Sequence, residues 1–160
     1  MPSYKPRLDS SGMEGSAYYY GSNPFYAAGF GLPNCTCYAW GRRYEITGRR
    51  PSLSTGNADT WVDRNTTYEV GMTPKLGAVC CWKYTGSMAG EGGHVAVVEQ
   101  INADGSIVTS NSAWGGSYFY LQTLYPSNGY EWGSFTQFQG FIYPEENYTN
   151  GLSFDRWIPG

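Results

Sequence analysis

The chain has 160 residues and a formal net charge of −3, from ten basic and thirteen acidic side chains. This length suits one domain with a real hydrophobic core, and with no basic patch beyond Arg42-Arg43 and Arg49-Arg50 the chain lacks the electrostatic footprint of a nucleic-acid binder. No apolar run approaches the roughly 20 residues that span a bilayer, so neither nucleic acid nor membrane is expected as a partner, while 18% aromatic residues and 22 glycines point to a β-rich body with many turns and a ring-lined groove.

Residues 1–16 are polar, with Pro, Ser and Gly, and read as a flexible N-terminal arm without the apolar stretch of a secretory signal. Ala17 to Pro33 is rich in Tyr and Gly, with Asn23-Pro24 as a turn. Asn34 is placed to cap a helix from Cys35 to Ile46 that stops at Gly48. Asn57 reads as the cap of a shorter helix, Ala58 to Arg64, which carries Trp61. Strands follow. Leu76 to Tyr84 is a nearly continuous apolar run, His94 to Ile101 is next, and Asn102-Ala-Asp104-Gly105 turns the chain into Ser106 to Ser110. Ser117 to Leu121 and Phe138 to Tyr143 complete the set, separated by an aromatic loop, and residues 145–160 read as a tail or linker. Helices first and an antiparallel meander after them predict an α+β fold, with the helices on one face of five or six strands.

The chemistry centres on Cys35 and on His94, the chain's only histidine. A thiol at a helix N-terminus beside an imidazole is how a thiolate nucleophile is built. Strand pairing across the Asp104-Gly105 turn brings residues near 110–112 opposite 94–95, and Asn111 is the polar candidate to orient the imidazole. Glu99 lies an odd number of residues from His94 on the same strand and so on the other face. The backbone N–H of Cys35 is the natural oxyanion donor, with Asn34 and Tyr20 as candidate side-chain donors. Cys37 is turned roughly 200° from Cys35 around the helix and faces away from any cleft that Cys35 opens into. The spacing of Cys35, Cys37, Cys80 and Cys81 fits no common zinc pattern, and free thiols are expected. Taken singly, each residue has a plainer reading: a helical Cys is usually a small buried hydrophobe, and an Asn near glycines is usually a turn residue.

Taken in order, the motifs resemble the CHAP family, the cysteine- and histidine-dependent amidohydrolases/peptidases related to the papain-like NlpC/P60 hydrolases. They are Asn34-Cys35-Thr36-Cys37-Tyr38, Gly56-Asn57-Ala58-Asp59-Thr60-Trp61, Pro74 to Trp82, Gly93-His94-Val95-Ala96-Val97-Val98-Glu99, and Gly140-Phe141-Ile142-Tyr143-Pro144. The resemblance implies a papain-like catalytic domain over residues 17–144, with Cys35 as nucleophile, His94 as base and Asn111 as third residue. Asn34, Tyr38 and Trp114 are the expected substrate-binding residues. No cofactor is implied, and no metal is expected, because the calcium loop of some relatives has no counterpart between Ala17 and Asn34, which holds no Asp or Glu. The implied substrate is bacterial peptidoglycan, cut at the amide joining sugar to stem peptide or at a peptide bond, on the extracellular side of the cell. A linker-like end and no signal peptide fit a phage endolysin module that reaches the wall through a holin or as part of a virion, with a further wall-binding domain in the full protein. A trimmed bacterial autolysin is the nearest competitor. The alternatives in other classes are a non-catalytic wall-binding module and a cysteine amidase or peptidase acting elsewhere.

Overall fold

The computed structural model describes residues 1–150, and the remainder of the expected tail lies outside the described residues. The long helix forms where local rules place it. Helix α2 runs Cys35–Thr47; the Asn34 side chain accepts from the Thr36 N–H, and Gly48 closes the helix at φ 73°, a left-handed conformation that glycine adopts without steric cost. Every residue from Cys35 to Arg43 is buried, so this helix is enclosed on all sides rather than amphipathic. Two short helices accompany it. Helix α1, Pro24–Ala27, stands where a simple turn was expected, because Asn23 accepts from the N–H groups of Phe25 and Tyr26 and Pro24 is pre-set for a first helical position. The expected helix over 58–64 is a 3-10 turn, Ala58–Thr60, running into α3, Trp61–Arg64. Asn57 makes no side-chain cap there. The Asp59 N–H instead donates to Gly92 O at 3.0 Å, which ties this turn to the loop before His94.

The main sheet has six antiparallel strands: β2 (Val70–Gly71), β3 (Val79–Tyr84), β4 (His94–Ile101), β5 (Ile107–Asn111), β6 (Tyr120–Leu124) and β7 (Thr136–Ile142). The order is β2-β7-β3-β4-β5-β6: a meander from β3 to β6, with β7 returning along the free edge of β3. Strand β6 starts three residues later than expected, because Ala113 to Ser117 first forms a tight turn, Gly116 N–H to Ala113 O and Ala113 N–H to Ser117 O. Side chains alternate along β4. Val95 and Val97 pack with α2, Cys81 and Trp61; Ala96 and Val98 pack on the far face with Cys80, Trp82 and Phe141. All four cysteines are free and buried.

The first sixteen residues differ from a loose arm. Tyr4 and Met13 are fully covered, and strand β1 (Ser3–Tyr4) pairs in parallel with β8 (Thr149–Asn150). The reason is a buried charge cluster that these residues help to satisfy. Arg42 on α2 donates to both carboxylate oxygens of Glu99, each at 2.9 Å. Glu99 also accepts from Tyr4 Oη at 2.9 Å, Ser110 Oγ at 2.7 Å and the Arg7 backbone N–H at 2.8 Å. Arg7 and Tyr19 converge on Glu45, one turn along α2. Burying charge is costly unless it is paired and fully hydrogen-bonded, and here the partners come from four separate segments. The neighbouring Arg43 is equally internal. Its guanidinium donates to the carbonyls of Gly77, Ile142 and Tyr143 and lies over the Tyr68 ring. The Arg42-Arg43 pair is thus an interior device rather than a surface patch.

Replacing Glu99 with Gln leaves buried Arg42 with only the more exposed Glu45 carboxylate, 3.0 Å away, as counter-charge and should lower unfolding free energy by about 3 kcal/mol. Denaturant titration checks this; the exposed Arg49–Glu145 pair, 2.8 Å apart, is the control, and Arg49→Ala should leave the midpoint unchanged.

Candidate active site

Cys35 is the first residue of α2, and its thiol lies against the start of β4, where the Val95 backbone N–H contacts it. Cys35 and His94 line one cleft of about 610 Å³, bordered by Asn34, Thr36, Thr55, Asn57, Tyr84, Glu91 and Trp114. The close approach at the start of β4 depends on Gly93. At φ +84°, a Cβ there would sit 2.6 Å from Trp82 O and 2.9 Å from the Asp59 N, inside any van der Waals contact.

His94 is held by a chain of hydrogen bonds whose direction can be assigned. Thr109 Oγ1 donates to Gln122 O at 2.9 Å, so it accepts from Asn111 Nδ2 at 3.0 Å. That leaves Asn111 Oδ1 as an acceptor, 2.9 Å from His94 Nε2. The neutral ring therefore carries its proton on Nε2, and the Nδ1 lone pair is left as the base. Continuing the β4–β5 register, in which Val97 faces Ser110, sets Asn111 beside Ala96 and on the same face as His94. Trp82 stacks on the imidazole at 5.8 Å and Trp132 meets it edge-on at 5.6 Å. Burial lowers the His94 pKa and the Asn111 bond opposes this; the net shift is downward, so His94 is neutral at pH 7.

The thiol differs from the resting thiolate expected of its position. Burial pushes Cys35 up to about 11, and the N–H groups of Val95, Thr36 and Cys35 only partly offset this. The ligand-free site therefore pairs a neutral thiol with a neutral imidazole. Cys37 is no rival: burial pushes it up to about 12, and its Sγ contacts Tyr19 O at 3.5 Å and Asn23 Oδ1 at 3.4 Å in the interior. Glu99 faces α2, away from His94, as the strand period requires.

The expected substrate-binding residues separate. Trp114 is 66% exposed and forms one wall of the cleft. Asn34 borders the cleft, but its side chain is committed to capping: Oδ1 accepts from Thr36 N and Oγ1, and Nδ2 donates to Phe30 O at 2.7 Å. Tyr38 is a correction. It is fully buried, stacked on Tyr19, with its hydroxyl donating to Ser110 Oγ at 2.7 Å, and it does not line the Cys35 cleft. Tyr20 is a second correction, since its hydroxyl pairs with Tyr118 Oη at 2.7 Å and it lines a neighbouring groove rather than the Cys35 cleft. Thr109 was not singled out from the sequence. Its one signal is its place two residues before Asn111, on the same face of a strand. Among the described residues, no group of three or more His, Cys, Asp or Glu side chains gathers where a metal ion would sit.

A cysteine at the N-terminus of a buried helix, set against a histidine at the start of a strand in an antiparallel sheet, is the layout of the papain-like α+β folds. Within them the chain belongs to the CHAP domain family, whose family model matches residues 25–113, more than half of the chain. It is 36% identical over 85 residues to a Staphylococcus aureus protein named "Probable autolysin LDP", covering 52% of this chain and 28% of that one. It is 35% identical over 82 residues to the Staphylococcus epidermidis N-acetylmuramoyl-L-alanine amidase sle1, covering 50% of this chain and 24% of that one. A solved structure of a Staphylococcus aureus N-acetylmuramoyl-L-alanine amidase superposes with a TM-score of 0.51 at 29% identity, over 68% of this chain and 30% of that chain. The chain thus spans about a quarter to a third of the length of these relatives.

Iodoacetamide labelling with peptide mapping checks the thiol assignments. Cys35 should label alone in the folded protein, at a rate that climbs through the alkaline range as the thiol ionises, while Cys37, Cys80 and Cys81 should label only on unfolding. A Cys35 rate already at its plateau near pH 7 would show a resting thiolate instead.

Proposed function

We propose that this domain hydrolyses an amide or peptide bond of bacterial peptidoglycan, with Cys35 as nucleophile, His94 as general base and acid, and Asn111 as the residue that orients His94. The observation that carries the reading is the His94 Nε2–Asn111 Oδ1 bond, which leaves Nδ1 as the free base in the cleft that also holds Cys35. The names of the Staphylococcus relatives favour the wall as substrate, and favour the amide between the lactyl sugar and the stem peptide over a bond within the peptide. A domain of this kind serves a phage lysin or a bacterial autolysin equally, acting outside the cell and carried in a longer protein with its own wall-binding part.

Chemistry starts from the neutral pair. The Cys35 proton moves to His94 Nδ1 as the sulfur attacks the scissile carbonyl carbon. With burial holding the thiol up near 11 and the imidazole below its ordinary value, proton transfer alone is uphill by several kcal/mol. An ion pair at about 4 Å recovers about 4 kcal/mol at an effective dielectric of 20. The remainder falls to the backbone donors at the helix start, with the Cys35 N–H serving the developing oxyanion. The imidazolium then protonates the leaving amine, giving a thioester and a free amino group. Water, deprotonated by His94, attacks the thioester carbonyl and releases the carboxylic acid and the thiol.

Cys35→Ala and His94→Ala should each lower the rate at which purified walls release new amino groups by about a thousandfold or more, with melting temperature retained. Wall binding without any such release by the unmodified domain would instead mark a binding module. Mass spectrometry of the released fragments separates amidase from endopeptidase products.

The acid limb of the pH–rate profile tests the His94 assignment. Activity needs neutral His94, whose pKa lies below 6.5, so the limb should fall below that pH. Asn111→Asp sets a carboxylate against the imidazole, favours its charged form and should move the limb upward by about one unit. Thr109→Val removes one of three acceptors that hold the Asn111 amide, with the carbonyls of Thr109 and Tyr120 still 3.3 and 3.5 Å from Nδ2, and should lower kcat by about twofold to threefold with KM nearly unchanged.

A further inference from the structure

A second groove opens beside the catalytic cleft, and Trp114 is the wall between them. Its volume is about 570 Å³, in the range of small-ligand sites. Tyr20, Tyr26, Leu32 and Pro33 line it together with Trp114, and Gly29 and Gly31 leave its floor without side chains. Tyr26 is 49% exposed, and Tyr20 braces it edge-on at 5.2 Å. Trp114 rests against Phe30 at 6.0 Å, so its ring is supported from behind although most of it faces solvent. Tyr26 and Trp114 are thus two exposed rings lining one groove beside a cleft, each braced by a second ring, and they offer faces on which a flat ligand can stack.

The two sites differ in charge and polarity. No charged side chain lines the aromatic groove. The catalytic cleft has Glu91 on its border with Thr36, Thr55 and Asn57. A stem peptide carries carboxylates and amines and matches the polar cleft. A glycan of N-acetylated sugars is uncharged on its pyranose faces, with C–H groups suited to aromatic faces and acetamido methyls suited to Leu32 and Pro33.

We infer that the Tyr20–Tyr26–Trp114 groove binds the glycan strand of peptidoglycan, one saccharide unit stacking on Tyr26 and Trp114, while the peptide enters the Cys35 cleft on the other side of Trp114. This rests on the peptidoglycan-hydrolase reading and adds to it the orientation of the substrate. Trp114 contacts both portions of such a substrate, whereas Tyr26 lines the aromatic groove alone, so Tyr26 gives the cleaner test.

The experiment uses Cys35→Ala protein, to prevent turnover, and two soluble probes: a peptide-free glycan tetrasaccharide from peptidoglycan and a sugar-free stem peptide. Calorimetric titration should show binding of both. Adding Tyr26→Ala should weaken tetrasaccharide binding roughly fivefold, Tyr26→Phe should keep it within about twofold because the ring face remains, and peptide affinity should not change. Melting temperatures check that each variant is folded. Saccharide-induced NMR shifts at the Trp114 indole and Leu32 methyls give the same readout with the groove unaltered. A tetrasaccharide that does not bind, or that binds Tyr26→Ala as tightly, overturns the inference. So does a loss of peptide binding in Tyr26→Ala, which would make the occupant a peptide, or a concentration-dependent dimer abolished by Tyr26→Ala, which would make it a second copy of the chain. Wall hydrolysis by the unmodified domain is measured alongside. If walls are cut but the saccharide does not bind, only the groove assignment fails; if walls are not cut, the parent reading fails.

Discussion

The hydrogen bond from His94 Nε2 to Asn111 Oδ1 decides which nitrogen of the imidazole is a base, and much of the fold is arranged around it. It requires β4 and β5 to pair in one register, since a slip of one residue would turn Asn111 to the opposite face. It requires the Asn111 amide to point one way, which the Thr109 hydroxyl, bonded to Gln122 O, and the carbonyls of Thr109 and Tyr120 enforce. It requires the ring plane to be fixed, which Trp82 and Trp132 do from two sides. The sheet carries the imidazole, and α2 carries the thiol that lines the same cleft.

What keeps α2 in place is a second constraint. The helix is buried along its first nine residues, two of them arginines, so its position rests on fixed charge partners as well as on apolar packing. The Arg42–Glu99 pair joins α2 to β4 five residues beyond His94, and Tyr4, Arg7 and Ser110 complete the Glu99 shell. Cys35 and His94 are therefore set by the same two elements that this pair clamps. Burial has its own effect on these two groups: it favours the neutral thiol and the neutral imidazole alike, so the ligand-free site holds a neutral pair rather than a resting ion pair.

The parts of this molecule legible in its sequence are those where local chemistry decides. Asn34 and Gly48 bracket α2 because capping is a property of a few adjacent residues. The faces of β4 follow from its period of two, which separates Glu99 from His94 before any contact is known. The misreadings share a different cause. Residues 1–16 look unanchored because their partners, Glu45 and Glu99, lie far along the chain. Tyr38 belongs to the nucleophile motif, yet motif membership does not say where a side chain points, and the ring is enclosed by Tyr19 and Ser110. The thiol's protonation depends on how deeply the helix start is covered, which no spacing rule conveys. Thr109 carries no motif and acquires its place only when β5 and β6 pair.

Because His94 is the only histidine in the chain, its ring nitrogens can be read without ambiguity. Long-range ¹H–¹⁵N NMR of the uniformly labelled, ligand-free domain at pH 7 reports the protonation state and tautomer directly. A neutral ring with its proton on Nε2 and an unprotonated Nδ1 is the predicted result. A ring protonated on both nitrogens, or a neutral ring with its proton on Nδ1, would contradict the proposed mechanism, because either leaves Nδ1 unable to accept the Cys35 proton.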